Sequence, residues 1–334
     1  MAKEIVVSGI RPTGFLHLGN YFGAMRNYVR MQDEFNCFFF VANWHALTTH
    51  PNTKELKDAV HRVVAENIAC GLDPEKVCLY VQSDVPEIAE LYLYLNTLAY
   101  KGELEKTTTF KDKARLQPNN INAALLTYPV LQAADILIHN AVKVPVGKDQ
   151  EQHLEMARTF AERFNFRYGN VIALPYAFNY GGELTKILSL DGDGKMSKSE
   201  NQLATLYLAD EDDAIRKKIS KAKTDGGPSE PNAAKTDFIK NLFTLMKIVS
   251  NVDVVEKFET DFNNSSTGNC IIRYGDMKKQ LAEDMVKFIT PIRTKAADLQ
   301  SNTALLEKII QNGADKARAS ASETIKMVRK AILG

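Results

Sequence analysis

The sequence predicts an α/β protein: a doubly wound parallel sheet followed by a C-terminal α-helical domain. Three observations carry this. Short β-branched or aromatic runs alternate with helical segments through the first half, the pattern of a parallel sheet wrapped by crossover helices. The first run leads through a glycine-containing turn straight into a helix, and open sheets of this kind bind ligands at such turns. After the strand-like runs end, apolar residues recur at helical spacing to the C-terminus. The boundary is placed between 1–205 and 206–334, two domains, as the chain length of 334 residues suggests.

In chain order, Ile5-Val6-Val7 reads as the first buried strand. Arg11 to Asn20 form the turn after it, and a helix starts at Tyr21. Gly14 and Gly19 let the backbone approach a ligand or a neighbouring element, and the helix start turns unpaired N–H groups toward phosphate. His17 and Asn20 add neutral donors at the same spot. The turn matches neither the Gly-x-Gly-x-x-Gly fingerprint nor a Gly-x4-Gly-Lys-Ser/Thr loop.

The run Cys37 to Ala42 is continuously apolar, as expected of a parallel strand covered on both faces, and ends in Asn43-Trp44-His45. Thr53 reads as the cap of a helix over 54–70, and 77–82 as a third strand. A helix over 87–100 carries Leu91, Tyr92, Leu93, Tyr94, Leu95 and Leu98 most of the way round, which suits a core helix or a dimer contact. Lysines between 101 and 115 read as a basic loop, with Lys111 and Lys113 as phosphate candidates and plain solvation as the alternative.

Gln132 and Asp135 lie three apart on the apolar helix 125–137 and share a face. A buried carboxylate needs a donor, supplied by protein or ligand, because it only accepts hydrogen bonds. Gly147, Asp149 and Gln150 sit at another strand end that opens a helix through His153, and capping is the competing role for Asp149. Downstream, Asp191-Gly192-Asp193-Gly194 precedes Lys195-Met196-Ser197-Lys198-Ser199. Two lysines three apart with two hydroxyls can hold a polyphosphate, and a solvated basic loop is the alternative.

Composition narrows the remaining classes. Forty-two basic against 41 acidic residues leave a net charge of +1, so any nucleic-acid contact is a local patch. The four cysteines show no C-x-x-C spacing and fit small buried residues in a reducing compartment. No apolar run approaches 18 residues, and the first residues lack a basic-then-apolar leader. In the second half, a helix is expected over 207–223, a loop over 224–232, and helices over 277–290 and 323–333.

His17-Leu18-Gly19-Asn20 early and Lys195-Met196-Ser197-Lys198-Ser199 late resemble the paired signatures of class I aminoacyl-tRNA synthetases. The segments Thr127-Tyr128-Pro129-Val130-Leu131-Gln132-Ala133-Ala134-Asp135 and Val144-Pro145-Val146-Gly147-Lys148-Asp149-Gln150 are similar to the bacterial-type tryptophanyl branch. The resemblance implies a Rossmann-like catalytic domain and a helical domain that reads an anticodon. It implies L-tryptophan, ATP with Mg2+ and tRNA(Trp) as partners. It also implies a cytoplasmic homodimer with no membrane, DNA or dedicated metal site.

By the same resemblance Asp135 takes the indole N–H, while His45, Tyr128, Gln132 and Gln150 help line the amino-acid pocket. Arg11, Pro12, Thr13, Gly19, Asn20, Gly147, Lys148, Asp149, Ile187 and Lys195 through Ser199 (with Met196, Ser197 and Lys198 between) bind ATP. His17, Asn20, Lys195 and Lys198 carry the catalysis. The chain departs from the family pattern at Arg11, where Gln is common, at Gln132, where Met is common, and at Lys148, where Glu is common. A tyrosyl enzyme is the nearer rival reading, and a silent paralog that binds tryptophan or RNA as a regulator is the other.

Overall fold

The computed structural model describes residues 3–49, 52–147, 150–178, 187–192, 194–196 and 201–334. It divides into two compact units that are discontinuous in sequence. Unit 1 comprises 1–13, 28–183 and 299–334, and unit 2 comprises 14–27 and 184–298. The block 206–334 is thus shared between them.

Unit 1 holds the sheet. Its strands are β1 (Ile5–Ile10), β2 (Asn36–Val41), β3 (Cys78–Val81), β4 (Lys143–Val144) and β5 (Tyr176–Ala177), all parallel, in the order β3-β2-β1-β4-β5. The chain adds strands outward on one side of β1 and then crosses to the other, so the switch point lies between β1 and β4. The residues that follow β1, β2, β3 and β4 gather at that carboxyl edge, where doubly wound sheets bind ligands. Phe38, Phe40, Cys78 and Tyr80 are buried, which is why these strands read as unbroken apolar runs.

Helix boundaries moved where capping overrode the apolar pattern. The helix expected over 54–70 runs Thr53–Ala69, and its cap is Asn52, whose side chain accepts from the Lys54 N–H at 3.0 Å. The helix expected to reach 100 stops at Asn96, and only Ile88, Leu91 and Leu95 are buried on it. Leu93 is 64% exposed, so the helix is not apolar-buried all round. The lysine-rich stretch expected as a loop is instead largely helical, as Lys101–Leu104 and Thr108–Leu116, the second capped by Thr107. That cap is the signal the charge run concealed.

The C-terminal helix is far longer than expected, Thr303–Leu333. It lies against β3: a Cβ at Gly313 would overlap the Leu79 carbonyl, and the Cys78 thiol donates to the Gly313 carbonyl at 3.1 Å. Glycine in mid-helix, normally a cost of about 1 kcal/mol, is here the condition for that approach.

Unit 2 is mostly helical: Asp212–Ser220, Asp237–Val249, Val252–Asn263 and most of Tyr274–Ser301. Ile239, Leu242, Phe243, Leu245 and Met246 form the buried face of the second of these. The first is shorter than the expected 207–223, because Asp210 ties 207–210 into a turn by accepting from the Tyr207 N–H. The expected helix 277–290 begins earlier and continues through Pro291, which forfeits one helical bond without ending the helix. No helix or strand occupies 224–232, as expected.

Candidate active site

Unit 1 contains all five residues expected around an amino-acid substrate, His45, Tyr128, Gln132, Asp135 and Gln150. His45 lies in the short helix Asn43–Ala46 after β2, and Asp135 on the helix Ala123–Leu137. Asp135 is fully buried. His45 Nε2 lies 2.8 Å from Asp135 Oδ2, and Gln82 Nε2 donates to Oδ1 and Oδ2 at 2.7 and 2.9 Å. An ionised carboxylate cannot donate, so His45 carries its proton on Nε2. Burial pushes the Asp135 carboxyl up, and the hydrogen bonds and charge of His45 and the hydrogen bond of Gln82 pull it back.

A second chain of contacts starts at Tyr128, one helical step from Gln132. The Tyr128 hydroxyl is 2.7 Å from His153 Nε2, and His153 Nδ1 is 3.0 Å from the Gln150 amide oxygen. An amide oxygen only accepts, so Nδ1 donates and Nε2 receives the phenol proton. Gln132 Nε2 donates to the same oxygen at 3.4 Å. Tyr128, Gln132 and Gln150 are therefore one connected group, held by a buried histidine, His153.

Arg11 and Lys113 bring positive charge to this unit. The Arg11 Nη2 donates to the His45 carbonyl at 3.4 Å, while its buried Nε has no partner among the described residues. Burial lowers the Arg11 pKa from its ordinary value. Lys113 Nζ lies 4.0 Å from the centroid of the Tyr128 ring. Burial, and then the neighbouring Arg11 charge, lower the Lys113 pKa to about 8. Lys111 on the same helix is exposed. Pro12 is buried and Thr13 exposed, and Gly147 is half-buried. Lys148 and Asp149 lie outside the described residues.

Unit 2 contains the two distant signature segments. His17 precedes the helix Leu18–Asn20, and its N–H donates to Asn20 Oδ1 at 3.1 Å. That leaves the Asn20 amide NH2 as the donor end of the side chain. The turn is fixed to the segment after 205 by Leu18 N–H to Leu206 carbonyl, 3.0 Å, and Leu208 N–H to Leu16 carbonyl, 2.8 Å.

The lysine-bearing loop is anchored through its backbone, both to itself and to the Asn241 side chain, which donates to the Ser189 carbonyl at 3.1 Å. Met196 N–H donates to the Ile187 carbonyl at 3.0 Å, Ser189 N–H to the Gly194 carbonyl at 3.1 Å, and Leu188 pairs with Lys195. Ile187 and Met196 are buried while Lys195 is exposed. Gly192 and Gly194 have φ of 80° and 85°, which a side chain rarely adopts. The two segments meet at Gly19. A Cβ there would stand 2.9 Å from the His17 ring and 3.3 Å from the Met196 carbonyl. Ser197, Lys198 and Ser199 lie outside the described residues.

Sequence reasoning missed Gln82 and the roles of His153 and Lys113 as partners of Tyr128. Gln82 sits one residue past β3, at the sheet edge where His45 was found by the same rule. Its amide was absorbed into the strand, which hid it.

Unit 1 thus carries a buried polar cluster at the carboxyl edge of a doubly wound sheet, and unit 2 carries the two segments that resemble class I aminoacyl-tRNA synthetase signatures. The family model for class I tRNA synthetases (W and Y) matches residues 2–290, and the chain belongs to this family, in its bacterial-type tryptophanyl branch.

The chain is 56% identical to the tryptophan–tRNA ligase of Porphyromonas gingivalis over 330 residues, 98% of this chain and 99% of that one. It is 41% identical to the tryptophan–tRNA ligase of Rickettsia prowazekii over 331 residues, 98% of each. Among solved structures it is similar to tryptophanyl-tRNA synthetase from Campylobacter jejuni complexed with ADP and tryptophan. That match has 32% identity and a TM-score of 0.86, covering 98% of this chain and 99% of that one. The enzyme from Mycoplasma pneumoniae is 33% identical with a TM-score of 0.83, covering 100% and 99%.

Proposed function

We infer that this chain is a tryptophan–tRNA ligase. It activates L-tryptophan with ATP to tryptophanyl-adenylate and pyrophosphate, then transfers the tryptophanyl group to a terminal ribose hydroxyl of tRNA(Trp). The observation that carries the amino-acid assignment is Asp135, a fully buried carboxylate that can only accept, suited to an indole N–H. Full-length likeness to tryptophan–tRNA ligases, one solved with ADP and tryptophan, supports the same reading.

In the first step the tryptophan carboxylate attacks the α-phosphorus of ATP and pyrophosphate leaves. No covalent enzyme intermediate is needed, so the protein aligns two anions and spreads charge. Alignment of this kind contributes about 7–11 kcal/mol. His45, Tyr128, Gln132, Asp135 and Gln150 hold the amino acid. Arg11, Pro12, Thr13, Gly19, Asn20, Gly147, Lys148, Asp149, Ile187, Met196, Ser197 and Ser199 hold ATP. His17 and Asn20 donate to the phosphates, and Lys195 and Lys198 neutralise the departing pyrophosphate. Lys113 joins them, supported by its burial beside Arg11.

Among the described residues no group of three or more His, Cys, Asp or Glu is placed to hold a metal ion. Mg2+ would arrive with ATP, offset the charge of its phosphates and need few protein ligands. The helices of 206–334 read the anticodon. The protein works as a homodimer, supported by exposed Leu93 and Tyr100, 64% and 63% accessible, and in the cytoplasm, where translation enzymes of this kind act. No helix among the described residues is long and apolar enough to cross a membrane.

ATP–pyrophosphate exchange with a panel of amino acids, followed by charging of tRNA(Trp), tests this reading. Exchange that depends on tryptophan and not on tyrosine is expected. Exchange with tyrosine alone, or with neither, overturns it.

A further inference from the structure

Gln82 is fully buried, at the first position of the turn that follows β3. Its amide cannot flip freely. The carbonyl oxygen accepts from the Trp44 backbone N–H at 3.0 Å, so the NH2 end must face Asp135. The two strand-end loops that carry these residues are themselves pinned together. Asn43 Nδ2 donates to Ser83 Oγ at 2.8 Å, and the Ser83 N–H donates to Asn43 Oδ1 at 3.1 Å.

A carboxylate offers about four acceptor positions, two on each oxygen. Gln82 Nε2 bridges both oxygens, and His45 approaches Oδ2. Both positions on Oδ2 are then taken, and one position on Oδ1 is left. Gln82, bonded to both oxygens, fixes the plane of the carboxylate, and His45, bonded to Oδ2 alone, leaves Oδ1 as the oxygen with a position for the substrate.

We propose that Gln82 is a positioning residue that orients Asp135 so that Oδ1 receives the indole N–H, and that it thereby sets discrimination for tryptophan over an isosteric ring lacking that hydrogen. The inference rests on the reading of the chain as a tryptophan-activating enzyme and adds to it the residue that enforces the substrate's N–H. Without Gln82, Asp135 keeps one donor, His45, and is free to rotate about its own side-chain bonds. Shape recognition of the bicyclic ring is left intact, because Gln82 touches the carboxylate and the Trp44 backbone.

The test compares tryptophan with β-(3-benzothienyl)alanine, in which sulfur replaces the indole NH, in ATP–pyrophosphate exchange by the full chain. The wild type is expected to prefer tryptophan at least tenfold in kcat/KM. Gln82→Met keeps the bulk and loses the donor. Gln82→Glu keeps the acceptor for Trp44 and loses the donor when ionised. Both are expected to cut the preference at least fivefold. The change should fall on the KM for tryptophan, with kcat and the KM for the sulfur analogue within about twofold of wild type.

Equal losses for both amino acids would make Gln82 a merely structural residue, and an unmoved preference would remove it from recognition. A wild type that does not discriminate between the two compounds overturns the proposal without any variant, so failure of the variants to fold leaves it exposed to disproof. If the wild type shows no exchange with tryptophan, the functional reading fails instead; intact exchange with an unchanged preference sinks Gln82 alone.

Discussion

The amino-acid cluster of unit 1 and the signature segments of unit 2 are built by different means. In unit 1 the candidate groups are side chains held by other side chains: Asp135 by Gln82 and His45, Tyr128 and Gln150 by His153. In unit 2 it is the backbone that is held, with Met196 bonded to Ile187, Gly19 against the Met196 carbonyl and the buried Asn241 side chain bonded to the Leu188 and Ser189 backbone, while the charged group, Lys195, is exposed. The contrast matches two tasks. Choosing one amino acid needs acceptors fixed before the ligand arrives, since a misaligned buried carboxylate loses its hydrogen bond. Stabilising a departing polyphosphate needs charge brought by groups that can follow it. Recognition and charge neutralisation should therefore separate under mutation.

The largest separation is expected at Lys195. Lys195→Ala should lower kcat for ATP–pyrophosphate exchange by about 100-fold, the scale for loss of one preorganised charge-stabilising group. Lys198→Ala should cost at least tenfold in the same assay. Next comes Asp135→Asn, which removes a charged acceptor and sets an NH2 against two donors. The loss of a charged hydrogen bond, about 1.5–3 kcal/mol, corresponds to roughly a 10- to 150-fold rise in the KM for tryptophan, with the KM for ATP little changed.

Gly19→Ala is expected to be milder, because the added methyl meets one side chain, the His17 ring, at 2.9 Å and the Met196 carbonyl only at 3.3 Å. Overpacking of this type costs about 1–3 kcal/mol. It should appear as an exchange defect of about tenfold with tryptophan affinity retained. A defect in tryptophan affinity instead would erase the distinction between the units.

The smallest effect concerns pH. The Lys113 pKa is lowered to about 8, so its positive charge is present below that value and lost as pH rises through it. Since kcat/KM reports groups of the free enzyme, kcat/KM for ATP should fall a few-fold between about pH 7 and 9. Lys113→Arg, which stays charged, should flatten that limb.

Much of this contrast was legible in the sequence, and unevenly so. The first three strands were visible as apolar runs, while β5, an exposed Tyr176–Ala177 pair, was not read at all; the strand-end rule located His45 and Gln150. The two signatures were visible because together, in order, they resemble the paired segments of class I aminoacyl-tRNA synthetases; alone, the lysine pair reads equally as a solvated loop. Gln82 was not legible: a polar residue ending an apolar run reads as the frayed end of a strand, and only its distance to Asp135 gives it meaning. The Thr107 cap was lost beneath the lysines around it, so a helix was read as a loop. The C-terminal helix was read only over 323–333 although it runs Thr303–Leu333, with Gly313 in mid-helix where packing against the Leu79 carbonyl admits no side chain.

Calorimetric titration of tryptophan in the absence of ATP, into wild type, Lys195→Ala and Asp135→Asn proteins side by side, tests the division of labour most directly. Lys195→Ala should bind tryptophan within about twofold of wild type, while Asp135→Asn should bind it at least tenfold more weakly. Tryptophan binding lost with Lys195 and kept with Asp135 changed would contradict the account.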